Sequence, residues 1–123
     1  MIEFYTTAVV GPANISVKLS YCTSDPAAVI FDFYTNPGDS SDWLFSRDLL
    51  AEALKEDCSG HGDVVIDANS DFVWVTLSSE EGKGTARFDR EDIEDFVGLV
   101  YDEIPANEDR YEVPDMFPEE WCA

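Results

Sequence analysis

Apolar and polar positions alternate most cleanly over residues 15–22. Ile15, Val17, Leu19 and Tyr21 fall on one side, and Ser16, Lys18 and Ser20 on the other. A period of two predicts a half-buried strand. Residues 2–10, rich in aromatic and β-branched side chains, predict a strand before it, with a turn at the Gly-Pro-Ala-Asn stretch at 11–14. After a turn at 23–26, residues 28–35 predict a third strand. There Val29, Phe31 and Phe33 share one face, and Ile30, Asp32 and Tyr34 the other. These three elements read as an antiparallel meander with short loops.

A polar loop is predicted over 36–42 and a short strand over 43–46. The period then changes. Leu49, Leu50, Ala53 and Leu54 recur at helical spacing over 48–55, with Ser46 placed to cap the helix and Asp48 in its first turn. The helix ends before the Cys-Ser-Gly stretch at 58–60. Residues 63–68 and 72–78 predict two strands joined by a hairpin at 69–71. A turn at 80–84 leads to a short strand over 85–89. Asp89 and the acidic turn after it open the main helix, in which Ile93, Phe96, Val97 and Val100 follow the i, i+3, i+4, i+7 pattern with Leu99 and Tyr101 beside them. Pro105 ends it. The fold class is therefore α+β, with antiparallel strand-rich units each followed by a helix. Residues 1–105 form one domain. Residues 106–123 form an acidic-aromatic tail in which Tyr111, Val113, Met116, Phe117 and Trp121 are interleaved with carboxylates.

Composition supports a folded core: 45% of the 123 residues are hydrophobic and 13% aromatic. No apolar run approaches the roughly 20 residues that span a bilayer. The N-terminal residues lack the charged and apolar regions of a signal peptide. Three cysteines, an odd number without C-x-x-C spacing, fit a reducing cytoplasm better than a disulfide framework. Charge changes the picture most. Against 27 acids stand 7 bases, a net charge of −20. Such a field excludes nucleic-acid and membrane-surface binding of the ordinary kind. It is also uneven: residues 1–54 carry 7 acids and 2 bases, and residues 55–123 carry 20 acids and 5 bases.

Candidate chemistry is sparse. His61 beside Asp63 has no serine in a nucleophile context and reads as a loop residue. Gly60-x-Gly62 and Gly82-x-Gly84 lack the third glycine of a phosphate cradle and read as hairpin turns. The acidic stretches at 39–42 and 91–94 lack the calcium-loop pattern, and Cys58 with His61 falls short of a zinc ligand set. No catalytic residue, metal site or cofactor is predicted. Two features remain. Trp43-x-Phe45-x-Arg47 reads as core plus an ion pair, or as a binding element. The tail reads as a solubilising end, or as a peptide that anchors Phe117 and Trp121 in a partner's pockets.

These residues carry a resemblance. The ordered set is Tyr21-x-x-x-Asp25-Pro26-x-Ala28-Val29-x-Phe31, Trp43-x-Phe45-x-Arg47-x-Leu49-Leu50, Gly60-x-Gly62-Asp63-Val64-x-Ile66, Leu77-Ser78-Ser79-x-x-Gly82, Phe96 and Ile104-Pro105-x-x-Glu108. It resembles the SsgA-like family of actinomycete sporulation and cell-division regulators over residues 15–108. Asn107 stands where the family has glycine, and the acidic-aromatic tail replaces its C-terminal helical extension. The resemblance implies a fold similar to the Whirly-type single-stranded nucleic-acid-binding fold, a homotrimer, and a non-enzymatic role in septum positioning. The implied partners are division proteins such as FtsZ or another SsgA-like protein, met in the cytoplasm or at the septum. On this reading Tyr111, Phe117, Trp121, Trp43 and Arg47 are the partner-binding residues. The strand faces carrying Ile30 and Tyr34, or Trp74, are the candidates for the trimer interface. The second reading is a decoy, an acidic mimic of nucleic acid, cellular or phage-borne, that blocks a DNA-binding host protein.

Overall fold

A computed structural model describes residues 1–36, 39–80 and 82–105. Eight strands form one antiparallel sheet in the order β4-β3-β2-β1-β8-β7-β6-β5. The strands β1 (Ile2–Val10), β2 (Ala13–Tyr21), β3 (Ala28–Asn36) and β4 (Asp39–Ser46) make one meander, closed by helix α1 (Arg47–Glu56). The strands β5 (Cys58–His61), β6 (Val64–Ala68), β7 (Phe72–Ser79) and β8 (Gly82–Asp89) make a second, closed by helix α2 (Arg90–Glu103). The chain thus folds as the same four-strand-plus-helix unit twice. The units join where β1 meets β8, at the pair Val9 and Arg87.

The period-two pattern sorts side chains as the sequence predicts. Val17, Leu19 and Tyr21 of β2, and Val29, Phe31 and Phe33 of β3, all point into the core. The sheet curls so that its two halves share that core. The Phe31 ring lies 5.0 Å from Phe45 in its own half, and 5.5 Å from Phe88 and 6.4 Å from Phe96 in the other half. Offset and edge-on ring pairs of this kind add to the area they bury.

Local capping explains where the helices start. Ser46 accepts a hydrogen bond from the Asp48 amide at 3.1 Å, as the sequence predicts. Asp89 occupies the cap position of α2 but makes no side-chain cap bond. Arg90 there ties three elements together. It donates to the Leu54 carbonyl at the end of α1, to the Asn69 carbonyl of the β6–β7 turn, and to Glu94.

Three expectations change. The polar loop at 36–42 is mostly strand, because β4 extends back to Asp39 and pairs with β3 through a register shift. The last strand starts at Gly82 rather than residue 85, because it pairs with β7 down to the turn. The stretch at 58–60, read as a helix end, is strand β5, and His61 closes that strand instead of lying in a loop. Its Cys-Ser-Gly-His sequence has no alternation to read. It is a strand because β6 pairs with it residue by residue and α1 packs over it.

Candidate functional site

The inner faces of the two meanders do not meet along their whole length. At the end formed by the β1–β2 and β7–β8 turns they part, leaving a groove of about 400 Å³. Its walls are apolar: Val10, Ile15, Phe33 and Trp43 from the first meander, and Val75 and Leu77 from the second. Ser41, Ser79, Lys83 and Thr85 give it a polar rim. Trp43 is half-buried. It stands across from Phe31 in the β3–β4 pairing, on the inward face of its strand.

One position keeps this groove open. Ala86 and Phe88 of β8 point inward, so Gly84 belongs to the same face, opposite Leu77. A Cβ built there would meet nothing within 4 Å, and the backbone is not in the left-handed region. A Cβ could stand at 84 without strain, and a longer side chain built on it would extend into the groove.

Arg47 lies elsewhere and is 1% exposed. Its Nη1 donates to the Ile104 carbonyl at 2.6 Å and toward the Tyr21 hydroxyl at 3.4 Å. Its guanidinium stacks on the Tyr101 ring at 4.0 Å and faces Tyr21 at 5.8 Å. The Tyr101 hydroxyl in turn donates to Asp48. This arrangement locks the end of α2 onto the start of α1. An arginine so enclosed is not a surface contact, so Arg47 is corrected from partner-binding residue to framework residue. Trp43 and Arg47, four residues apart, therefore part ways: the strand carries Trp43 to the groove and the helix start buries Arg47. Tyr111, Phe117 and Trp121 lie outside the described residues.

The groove was not legible as a site in the sequence. Val10, Ile15, Phe33 and Leu77 follow the inward parity of their strands and read as core. The signal available was the glycine at an inward strand position, since glycine in a strand weakens it unless something needs the room.

The outer face of the first meander is also structured. Lys18 lies 3.8 Å from both Glu3 and Asp32. Burial, foremost, and then the hydrogen bond and like charge of Asp42 push the Asp32 carboxyl up to about 6, against the pull of Lys18. Elsewhere, burial raises Asp25 from its ordinary value, and the Ser24 hydroxyl lowers the Cys22 thiol. Among the described residues no group of three His, Cys, Asp or Glu side chains could hold a metal ion. No helix among them is long and apolar enough to cross a membrane.

Comparison with known proteins agrees with the fold. A solved structure from a study of SsgB mutations that correlate to longitudinal cell division during sporulation of Streptomyces coelicolor superposes with a TM-score of 0.76. It is 29% identical and covers 89% of this chain and 91% of its own. The SsgA-like sporulation-specific cell division protein of Thermobifida fusca shares the fold at a TM-score of 0.74 and 22% identity, covering 94% of this chain and 88% of its own. Among curated relatives, the sporulation-specific cell division protein SsgB of Saccharopolyspora erythraea is 37% identical over 98 residues, which is 76% of this chain and 69% of the relative. SsgB of Streptomyces coelicolor is 36% identical over 95 residues, 74% of this chain and 69% of the relative. The family model described as Streptomyces sporulation and cell division protein, SsgA, matches residues 15–109, and the chain belongs to that family.

Proposed function

We propose that the chain is a non-enzymatic adaptor of cell division and sporulation septation, acting by protein–protein binding in the cytoplasm and at the septum. The observation that carries this reading is the apolar groove walled by Trp43, Phe33 and Leu77 and left open by Gly84. A groove with an aromatic wall and a polar rim is how interfaces seat a partner's anchor side chains. The partner is FtsZ or another SsgA-like protein. The tail adds Tyr111, Phe117 and Trp121 as anchors of its own, and Arg47 contributes by fixing the helices beneath.

The assembly is a homotrimer. The outer face of the second meander suits contacts between copies, because its charges balance. Arg87 there stacks on Phe72 at 4.4 Å, in the row that holds Asp67 and Trp74. The duplicated strand-strand-strand-strand-helix unit supports the further likeness to the Whirly-type fold, with the net charge of −20 turning its surface from nucleic acid to protein.

Overexpression in a sporulating actinomycete tests the reading. The wild-type chain shifts septum placement, and Gly84→Leu, which fills the groove, does not. Equal effects of the two would remove the groove from the mechanism. Deleting residues 109–123 weakens partner affinity if the tail binds, and unchanged affinity would reduce it to a solubilising end. A solution mass near that of one 13.8 kDa chain would remove the trimer.

A further inference from the structure

A second surface lies on the opposite face of the first meander and does not depend on the groove. Strand pairing sets its side chains in three rows. The first holds Glu3, Ser20, Ile30 and Leu44. The second holds Tyr5, Lys18, Asp32 and Asp42, and the third holds Thr7, Ser16 and Tyr34. Tyr5, Leu44 and Tyr34 stand 69%, 48% and 40% exposed. Scattered single apolar residues need no explanation, but these three share one sheet face around a charged row.

The charge pattern decides what such a face fits. Asp32 and Asp42 are directly opposite each other across two antiparallel strands. Like charges in that position repel unless a proton or a cation stands between them. Lys18 divides itself between Glu3 and Asp32, and no ion pair among the described residues includes Asp42. The row therefore holds more carboxylates than it has cations to match, on strands that fix their positions.

We propose that this face docks a cationic segment of a different protein, with an arginine or lysine seated between Asp32 and Asp42 and its apolar neighbours laid on Ile30, Tyr34 and Leu44. Paired carboxylates offer a guanidinium two acceptors at once. A second copy of the chain fits poorly, because it brings the same surplus of carboxylates and a net charge of −20. A cationic segment meets the complementary sign and is drawn in by it.

Docking is pH-dependent. Lys18 faces Asp32 from β2, Asp42 from β4 and Tyr34 from its own strand, with Glu3 and Tyr5 of β1 beyond Lys18. Above about pH 7 the Asp32 carboxyl, pushed up to about 6, is charged and ready for a cation. As pH falls toward about 5 Asp32 takes up a proton and the cation is released.

Fluorescence anisotropy with a labelled synthetic peptide of alternating arginine and leucine, at about 0.15 M salt, tests this on the full chain. The peptide binds the wild type, and Asp42→Asn weakens it about tenfold. Glu52→Gln, which removes one exposed carboxylate from α1 instead, changes affinity less than about twofold. Lowering pH to about 5 weakens wild-type binding more than it weakens binding to Asp42→Asn, in which burial alone still raises Asp32. Asp42→Asn removes a repulsion and keeps the side chain's shape, so it folds. Leu44→Ser, exposed on the same face, tests the apolar half and also weakens binding. Equal losses from Asp42→Asn and Glu52→Gln would reduce the effect to net charge and overturn the proposal. A change in the protein's solution mass on Asp42→Asn would do the same, by assigning the face to a second copy. Neither outcome touches the groove, which Gly84→Leu reports separately.

Discussion

Replacing Arg47 with alanine should cost more than any surface substitution. The residue is 1% exposed, and the Ile104 carbonyl that it serves belongs to a fully buried residue. The alanine variant loses a charge-assisted hydrogen bond, about 1.5–3 kcal/mol, and leaves that carbonyl short of a donor. It also loses the stacking on Tyr101 at 4.0 Å, about 2 kcal/mol in a desolvated site. Against these losses, the folded chain no longer bears the cost of burying a guanidinium. The net expectation is about 3 kcal/mol. Each kcal/mol is about 4 °C of Tm in a domain of this size, so the midpoint should fall by about 12 °C. Arg47→Lys keeps the charge but neither the planar fork nor the stack, and should recover less than half of the loss. Urea unfolding followed by tryptophan fluorescence gives both values, with an unchanged slope showing that the two-state comparison is sound. A double-mutant cycle with Tyr101→Leu should return about 1–2 kcal/mol of coupling. An alanine variant within about 0.5 kcal/mol of wild type would mean that the helix ends are fixed by something other than this arginine.

Other consequences are as direct. Phe31→Ala removes the ring that meets Phe33, Phe45, Phe88 and Phe96, and should cost about 3–5 kcal/mol in the same unfolding assay. Asp57 ends α1 in the left-handed region at φ 72°, so Asp57→Gly should gain about 0.5–1 kcal/mol by relieving both the backbone and a negative charge at the helix C-terminus. The folded-state pKa of Asp32, about 6, lies above its ordinary value of 3.8, so between those values the folded chain holds a proton that the unfolded chain has released. Stability from this group is therefore greatest below about pH 4 and falls as pH rises through about 6, by at most about 3 kcal/mol. The difference between wild type and Asp32→Asn across that window isolates it, and parallel curves would contradict it. Raising salt from about 0.01 to 0.5 M should raise the thermal midpoint, because screening relieves the repulsion among 27 acids.

The strands with a half-buried pattern were legible because their two faces meet different surroundings. Ile15 to Tyr21 alternates in sequence because one face meets Phe31 and its neighbours and the other meets solvent and Lys18's partners. Both helices were legible for the same reason, with Ile93, Phe96 and Val100 all buried on one side. Strand β5 was not, because a short edge strand owes its conformation to β6 and α1 rather than to its own residues. The first half of β4 was hidden likewise: Asp-Ser-Ser-Asp carries turn residues, and pairing with β3 overrides their preference. The site was legible only in part. The Trp43–Arg47 segment stood out as aromatic and cationic, yet spacing alone could not say that one residue would face a groove and the other be enclosed by Tyr21 and Tyr101. The groove itself arises where two distant meanders diverge, a long-range relation with no local pattern.

The net charge of −20 acts both broadly and locally. A field of that sign repels phosphate backbones, and on the outer face of the first meander it includes a specific pair, Asp32 opposite Asp42. Binding through the groove needs no such charge, so salt should act on the two surfaces differently: weakly at the apolar groove and strongly at the outer face.

On the proposed function, the apolar groove is where a division protein binds. Its most direct test is the affinity of purified FtsZ, and of an SsgA-like partner, for the wild-type chain and for Gly84→Leu. Leucine at 84 meets no neighbour within 4 Å of its Cβ and suits a strand better than glycine, so the variant should melt no lower than wild type. It should nonetheless bind at least about tenfold more weakly, a difference of about 1.4 kcal/mol. A stable Gly84→Leu protein that binds its partner as tightly as wild type would contradict it.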